Sequence, residues 1–358
     1  MAIHFHPLSI KEIQKQTADC VSISFTIPEN LKQDFAFTHG QNITLKKTID
    51  GEELRRSYSI CSADFENELT VAVKKVTGGK FSSYANDFLK AGDSIDVLPP
   101  TGKFNTTLDI NNKKNYTAFA AGSGITPIIS IIKTSLHTEP QSNFTLVYNN
   151  RNKASIIFFE QLEALKNKYL QRFNFINILS REKTDADILF GRIDDKKLQA
   201  LNSLVNYKIQ DEFFVCGPEE MIFCVKDFLE NIDIDKKKIH FELFTTPGFK
   251  KEKAVIESIP KSPKIKSKIS IKLDGRMVDF DMGFESGSIL DEALKRGADL
   301  PFACKGGVCC TCKAKLIEGE VTMDVNWGLE HEELAMGYIL TCQSHPVTET
   351  VKIDFDAR

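Results

Sequence analysis

The sequence lacks a basic N-terminal stretch followed by a long apolar run; it opens Met-Ala-Ile-His-Phe-His-Pro-Leu-Ser-Ile-Lys-Glu. No secretory signal is expected. An unbroken apolar segment is lacking too. The most apolar stretch, Tyr116 to Ile132, is interrupted by Gly122, Ser123, Gly124, Thr126 and Pro127, which excludes a bilayer-spanning helix there. Charge of one sign is not in excess: 46 Lys and Arg face 49 Asp and Glu, a net of −3. Such a balance gives no global pull toward nucleic acid or a membrane surface, and a cytoplasmic location is the expectation. A spread of paired cysteines is also missing. There are nine cysteines, an odd number, and five of them follow residue 300. A secreted disulfide framework distributes its pairs through a small chain; this clustering favours metal or redox use.

What is present points to several domains. A chain of 358 residues exceeds one ordinary core and suggests two to three. Residues 1–108 alternate apolar and polar, as in Val21-Ser-Ile-Ser-Phe-Thr-Ile27, Leu69-Thr-Val-Ala-Val73 and Ser94-Ile-Asp-Val97, with a hairpin turn at Asp50-Gly51. That pattern predicts an antiparallel β-barrel with a short helix near Ser83 to Leu89. Residues 109–246 change rhythm. Short apolar runs (Thr117–Ala121, Phe144–Tyr148, Phe173–Leu179, Phe213–Cys216) alternate with helical stretches such as Ile157–Tyr169 and Glu219–Asn231. This is the βαβ alternation of a parallel sheet, closed by His240 to Phe244.

Residues 247–267 are rich in Lys, Pro and Ser and read as a linker; a flexible chain of that length spans roughly 25 Å. Residues 268–358 open with Ile269-Ser-Ile-Lys-Leu, a turn at Asp274-Gly275 and Met277-Val-Asp-Phe, and a helix is predicted over Ser288 to Arg296. From Ser267 onward 16 acidic residues face 10 basic ones, against 33 and 36 in the remainder. An acidic module on a mildly basic body could meet a basic partner; a solvated surface explains the count equally well.

Cysteine spacing carries the strongest chemistry. Cys304-x4-Cys309-x2-Cys312, with Cys342 after 29 residues, is the plant-type [2Fe–2S] spacing. Two bridged irons need four thiolates, two per iron. A tight loop delivers three and a distant strand the fourth. Gly306 and Gly307 let backbone amides approach the sulfurs. Structural zinc is the rival, although it usually takes two short-spaced pairs. Cys310 is the surplus thiol, either a small buried residue or an alternative ligand.

Two further patterns suggest nucleotides. Ala121-Gly-Ser-Gly-Ile-Thr-Pro127 follows a predicted strand and opens a helix, as a phosphate site requires. The last glycine of the dinucleotide fingerprint is absent, which excludes the usual two-half Rossmann domain. Cys216-Gly217-Pro218 and Ser180-Arg181 end two other predicted strands, where open parallel sheets hold ligands. Arg181 could grip a 2′-phosphate or simply face solvent. In the β region, Arg56-Ser57-Tyr58-Ser59 could bind a pyrophosphate and stack on a flat ring, and Gly78-Gly79-Lys80-Phe81-Ser82 could meet the other phosphate face. Taken singly, each of these is equally a plain strand or turn.

In this order the motifs resemble ferredoxin–NADP⁺ reductase-type flavoproteins fused to a plant-type ferredoxin. Gly51 to Cys61, Ala303 to Cys309, Met323-Asp-Val-Asn-Trp-Gly-Leu-Glu and Leu340-Thr-Cys-Gln-Ser-His-Pro346 are similar, more narrowly, to the reductase subunits of phenylacetyl-CoA epoxidase complexes. The resemblance implies a Greek-key β-barrel FAD domain, an α/β NAD(P)H domain and an α+β β-grasp ferredoxin domain. By residue, it implies that Arg56, Ser57, Tyr58 and Ser59, with Gly79, Phe81 and Ser82, hold FAD. Gly122, Gly124, Thr126, Pro127 and Arg181 would take NADPH, with NADH possible. Cys216 and Gly217 would lie at the nicotinamide, with Cys216 and Ser59 catalytic, and Cys304, Cys309, Cys312 and Cys342 would hold the cluster. The implied partner is a di-iron oxygenase component. A reductase for another oxygenase, a ring-hydroxylating dioxygenase or a hybrid-cluster protein is the alternative, and a zinc-binding interaction module on a nucleotide-binding body is a reading of a different class.

Overall fold

The computed structural model describes residues 4–244 and 266–357. The chain divides into two compact units, one spanning Phe5–Leu243 and the other containing Phe244–Arg358.

The first unit begins with six antiparallel strands: β1 (His6–Thr17), β2 (Cys20–Thr26), β3 (Asn42–Ile49), β4 (Glu52–Ser59), β5 (Leu69–Lys74) and β6 (Ser94–Thr101). Their order is β4-β3-β6-β1-β2-β5. A bridge from Ile60 to Val71 joins the two outer strands, and the Cys61 amide donates to the Thr70 carbonyl at 2.8 Å. The sheet therefore closes on itself and loses its free edges. Strand alternation supplies the interior: Ile23, Ile43, Leu45, Val71, Val73 and Val97 are all 0% exposed. Each such side chain contributes roughly 1.5–3 kcal/mol by leaving water. Asp50 and Gly51 both have positive φ, 51° and 77°, as the tight β3–β4 hairpin requires. The one barrel helix, α1 (Lys80–Asp87), starts three residues before the expected Ser83. Gly78, at φ 74°, turns the chain into it.

The same unit continues into a parallel sheet. Its strands are β7 (Asn115–Ala121), β8 (Asn143–Asn150), β9 (Phe173–Leu179), β10 (Glu212–Cys216) and β11 (Ile239–Glu242), ordered β11-β10-β7-β8-β9. Helices α2 (Ile125–Thr138), α3 (Phe159–Lys168), α4 (Asp195–Val205) and α5 (Glu219–Asn231) connect them. Of these, α4 was not anticipated. Its periodicity is short, and its start is set by Asp194, which accepts from the Lys197 amide as an N-cap. Buried Ile125, Ile128, Ile129, Ile131 and Ile132 account for the apolar character of this stretch. They coat one sheet face. Among the described residues no helix is long and apolar enough to cross a membrane.

The second unit is a mixed sheet. Strands β12 (Lys266–Leu273) and β13 (Arg276–Gly283) form a hairpin, followed by helix α6 (Ile289–Lys295) and strands β14 (Lys313–Glu318) and β15 (Val321–Met323). Helix α7 (His331–Ala335) and strands β16 (Tyr338–Leu340), β17 (Ser344–Pro346) and β18 (Thr350–Asp354) complete it. The order is β13-β12-β18-β14-β16, with β15 and β17 as a separate pair. β18 runs parallel to β12 and antiparallel to β14, and α6 and the sheet enclose one core around Ile269, Ile271, Leu290, Ala314 and Phe355. The expected linker, 247–267, lies outside the described residues except for Lys266 and Ser267, which open β12.

Candidate redox site: flavin and nucleotide cradles and a cysteine loop

In the first unit the glycine loop reaches the end of β10. A Cβ on Gly124 would sit 2.0 Å from the Cys216 carbonyl oxygen, and one on Gly217 would sit 3.1 Å from the Ala121 Cβ. Only glycine permits this approach, so the structure brings Gly122, Gly124, Cys216 and Gly217 to one place at the carboxyl ends of β7 and β10. The buried Tyr148 hydroxyl donates to the Gly122 carbonyl at 2.8 Å and pins the turn. Pro127 is the third residue of α2, where no N–H is missed. Thr126 donates to the Ser123 carbonyl at 3.0 Å. No side chain caps the start of α2, and its first amide, from Ile125, donates back to the Gly122 and Ser123 carbonyls.

Arg181 is exposed just beyond β9, and its amide donates to the Arg151 carbonyl at 2.8 Å. The two arginines thus follow adjacent strands, Arg151 two and Arg181 three strand spacings from β10, about 10 and about 14 Å. Sequence reasoning picked out Arg181 and overlooked Arg151, whose signal was its position after another apolar run.

On the barrel, Arg56 is exposed, Ser57 and Tyr58 are half-buried and Ser59 is buried. The Tyr58 ring packs 5.8 Å from that of Phe81. Phe81 is 2% exposed and belongs to the barrel core, so what it could offer outward is its backbone. Ser82 accepts from the Val76 amide at 3.0 Å and donates to the Gly79 carbonyl at 3.3 Å; its hydroxyl shapes the Gly78-Gly79 turn. Gly79 precedes α1 with no side-chain cap, a set of open helix amides. Ser59 donates to Glu242 Oε2 at 2.9 Å. Glu242 pairs in register with Cys216, and burial first, then the Glu242 charge, pushes the Cys216 thiol well up. A hydroxyl, a neutral thiol and a carboxylate therefore meet where β4, β10 and β11 end. Glu242 was not singled out from sequence, because nothing local marks it; only the register does. Lys74 was also passed over, although its Nζ lies 3.9 Å from where a Gly122 Cβ would be. It adds a cation beside the glycine loop.

In the second unit the four expected thiols fall into two pairs. Hydrogen bonding with Cys304 holds the Cys309 thiol down to about 5, aided by Thr311, while the same contact raises Cys304. Cys312 likewise lowers Cys342 and is raised by it. In each pair one thiol is thereby held toward its thiolate, the form that binds a metal. Among the described residues no three His, Cys, Asp or Glu side chains gather around a single ion; pairs are what a binuclear cluster needs. The Gly306 amide reaches Cys304 Sγ at 3.3 Å and Gln343 Nε2 reaches Cys342 Sγ at 3.6 Å, the donors a sulfur-rich anion requires. Gly307, at φ 74°, has no room for a Cβ, which would lie 2.7 Å from Val325 Cγ2. Cys310 stands apart and donates to the Gly328 carbonyl. The residues present thus fit a flavin, a pyridine nucleotide and a [2Fe–2S] cluster.

Comparison with known proteins agrees. Family models match an oxidoreductase FAD-binding domain over residues 7–106, an oxidoreductase NAD-binding domain over 119–227 and a 2Fe-2S iron-sulfur cluster binding domain over 271–347. The chain is 44% identical to a 1,2-phenylacetyl-CoA epoxidase subunit of Escherichia coli K12, across 99% of this chain and 98% of that protein. It is 31% identical to a 3-ketosteroid-9-alpha-monooxygenase ferredoxin reductase component of Rhodococcus rhodochrous, across 97% and 96%. The solved phthalate dioxygenase reductase shares the fold at a TM-score of 0.58 and 22% identity, covering 98% of both chains. The chain is an NAD(P)H-dependent oxidoreductase with FAD and [2Fe–2S] cofactors, and it belongs to the reductase family that includes this 1,2-phenylacetyl-CoA epoxidase component.

Proposed function

We propose that this protein is the reductase component of a multicomponent oxygenase, that its partner is a di-iron oxygenase component acting on phenylacetyl-CoA, and that it works in the cytoplasm. The full-length 44% identity to a phenylacetyl-CoA epoxidase component supports that partner. The meeting of Ser59, Cys216 and Glu242 is the observation that carries the chemistry. When bound, the flavin takes a hydride from the nicotinamide and releases electrons singly, and the cluster, near about −400 mV in plant-type sites, carries them one at a time.

The chain's residues have separable tasks. Arg56, Ser57 and Tyr58, with the Gly79 turn and the amides that open α1, hold the FAD pyrophosphate and ring. Lys74 and the amides at Gly122–Gly124 and Thr126 hold the nucleotide phosphates. Cys216 and Gly217 set the depth of the nicotinamide. The Ser59 hydroxyl, whose proton is turned to Glu242 at 2.9 Å, would accept a proton from the ring as it gives up electrons and relay its own to the carboxylate. Arg181 and Arg151 favour the 2′-phosphate of NADPH, since paired guanidinium groups suit a dianionic ester. Cys304 with Cys309, and Cys312 with Cys342, each hold one iron. The divisions 1–108, 109–246 and 268–358 assign one task to each domain, with 247–267 between the last two.

Anaerobic titration of the purified protein with NADPH and NADH tests this reading. Flavin and cluster absorbance should bleach with less NADPH than NADH. Re-oxidation should quicken when the di-iron component is added. A protein that bleaches but delivers nothing to that component, while serving another oxygenase, would move the partner and leave the site chemistry standing.

A further inference from the structure

Cys310 lies between Cys309 and Cys312, two thiols that in the plant-type reading serve different irons, Cys309 with Cys304 and Cys312 with Cys342. Its backbone is left-handed, at φ 55°, which crowds the Cβ of any residue but glycine. A short-spaced C-x2-C otherwise points both sulfurs at one ion, as in zinc sites. The left-handed turn is what parts them.

Something must hold that turn. The Cys310 thiol donates to the Gly328 carbonyl, and the Gly328 amide donates to the Gly307 carbonyl at 2.8 Å. Nearby, the Asp324 amide donates to the Gln343 carbonyl at 3.0 Å, and Gln343 Nε2 to the Lys305 carbonyl at 2.9 Å. Residues 324–329 are thus stitched over the cysteine loop. The fit is close: a Cβ on Gly328 would lie 2.8 Å from Cys310 Sγ and 3.0 Å from the Val308 carbonyl oxygen. Trp327, the chain's one tryptophan, immediately precedes Gly328 and is 43% exposed.

We propose that Cys310 is a positioning residue: its thiol latches residues 324–329 onto the cysteine loop and so keeps Cys309 and Cys312 turned toward different irons. This rests on the reading of Cys304, Cys309, Cys312 and Cys342 as the cluster ligands. The latch acts through backbone geometry, so its loss slackens the cluster's seat without removing a ligand.

The test compares full-length holoprotein with Cys310→Ala, Cys310→Ser and Cys310→Gly. Two quantities are read: the rate at which cluster absorbance decays under an iron chelator, and acrylamide quenching of Trp327 emission. In Cys310→Ala the cluster should assemble and then be lost about 3-fold to 10-fold faster, the effect of one net hydrogen bond, with stronger quenching. Cys310→Ser keeps a donor and should restore both. Cys310→Gly relieves the backbone strain but has no donor, so it should follow Cys310→Ala. Wild-type behaviour of the Ala or Gly variant overturns the latch, as does equal damage from Ser and Ala. Failure of Cys310→Ala alone to assemble a cluster would make Cys310 a ligand, which also overturns it. A wild-type protein without a [2Fe–2S] spectrum would instead sink the ligand reading beneath.

Discussion

The cysteine loop and the flavin–nucleotide cradle are built on opposite plans. Three of the four thiols proposed to hold the cluster come from nine consecutive residues, and the fourth lies 30 residues beyond Cys312. The cradle takes Ser59 from β4, the glycine loop from β7, Cys216 from β10 and Glu242 from β11, and the Ser59–Glu242 contact joins positions 183 apart. A local site concentrates its function in a few side chains that nothing can replace. An assembled site spreads it over turns, amides and charges.

Single substitutions should therefore act sharply in one place and by degrees in the other. The largest effect is expected for Cys309→Ala. It should remove the cluster signal in electron paramagnetic resonance and cut electron delivery to the oxygenase component at least about 100-fold, because an iron loses one of its two protein thiolates. Flavin content and NADPH oxidation with a dye acceptor should survive, and their loss would break the comparison by making the two sites interdependent. Gly124→Ala should come next. Its Cβ would meet backbone at Cys216, which cannot step aside, so about 3 kcal/mol of stability and most nucleotide binding should go; calorimetry and NADPH titration read the two.

Glu242→Gln keeps the Ser59 contact's geometry while removing the charge. Flavin re-oxidation should slow about 100-fold at unchanged FAD occupancy and unchanged reduction by NADPH, read by stopped flow. Arg181→Ala should raise the KM for NADPH about 10-fold and leave NADH alone; an equal rise for both would show that Arg181 does not read the 2′-phosphate.

The smallest effect lies at the other end of the parallel sheet. Burial alone would raise the Glu212 carboxyl, but hydrogen bonds from His240, Lys114 and Thr106 win and bring it from 4.5 to about 2. A depressed carboxyl stabilises the fold above its unfolded value, and that contribution is lost as pH falls from about 4.5 toward 2. Glu212→Gln should cost about 1 kcal/mol near neutrality once solvent screening is allowed for. Its melting temperature should then converge on that of the wild type in this acid window.

The same contrast explains what could be read from the chain. Cysteine spacing is chemistry written in sequence order, so the proposed ligand set could be named from the chain alone. The strand and helix rhythm of the parallel sheet was equally plain: Phe173–Leu179 and Glu219–Asn231 were anticipated with the bounds they have. Glu242, Lys74 and Arg151 were not. Glu242 gains its place only through pairing beside Cys216 and Lys74 only through its approach to Gly122; Arg151 had a signal in its position after an apolar run, but its place beside Arg181 comes from the fold. Phe81 and Ser82 show the converse. Their motif was visible, but a motif does not say which part of a residue faces the ligand, and here the ring and the hydroxyl are turned to the barrel's own core and turn.

Strand β18 lies between β12 and β14, in the middle of its sheet. During synthesis the cysteine loop emerges well before Thr350–Asp354, and until that strand is released β12 and β14 have no partner to span them. The thiols are thus exposed to the cell before the frame that seats them exists. Seating of the cluster then waits until β18 has paired with both β12 and β14.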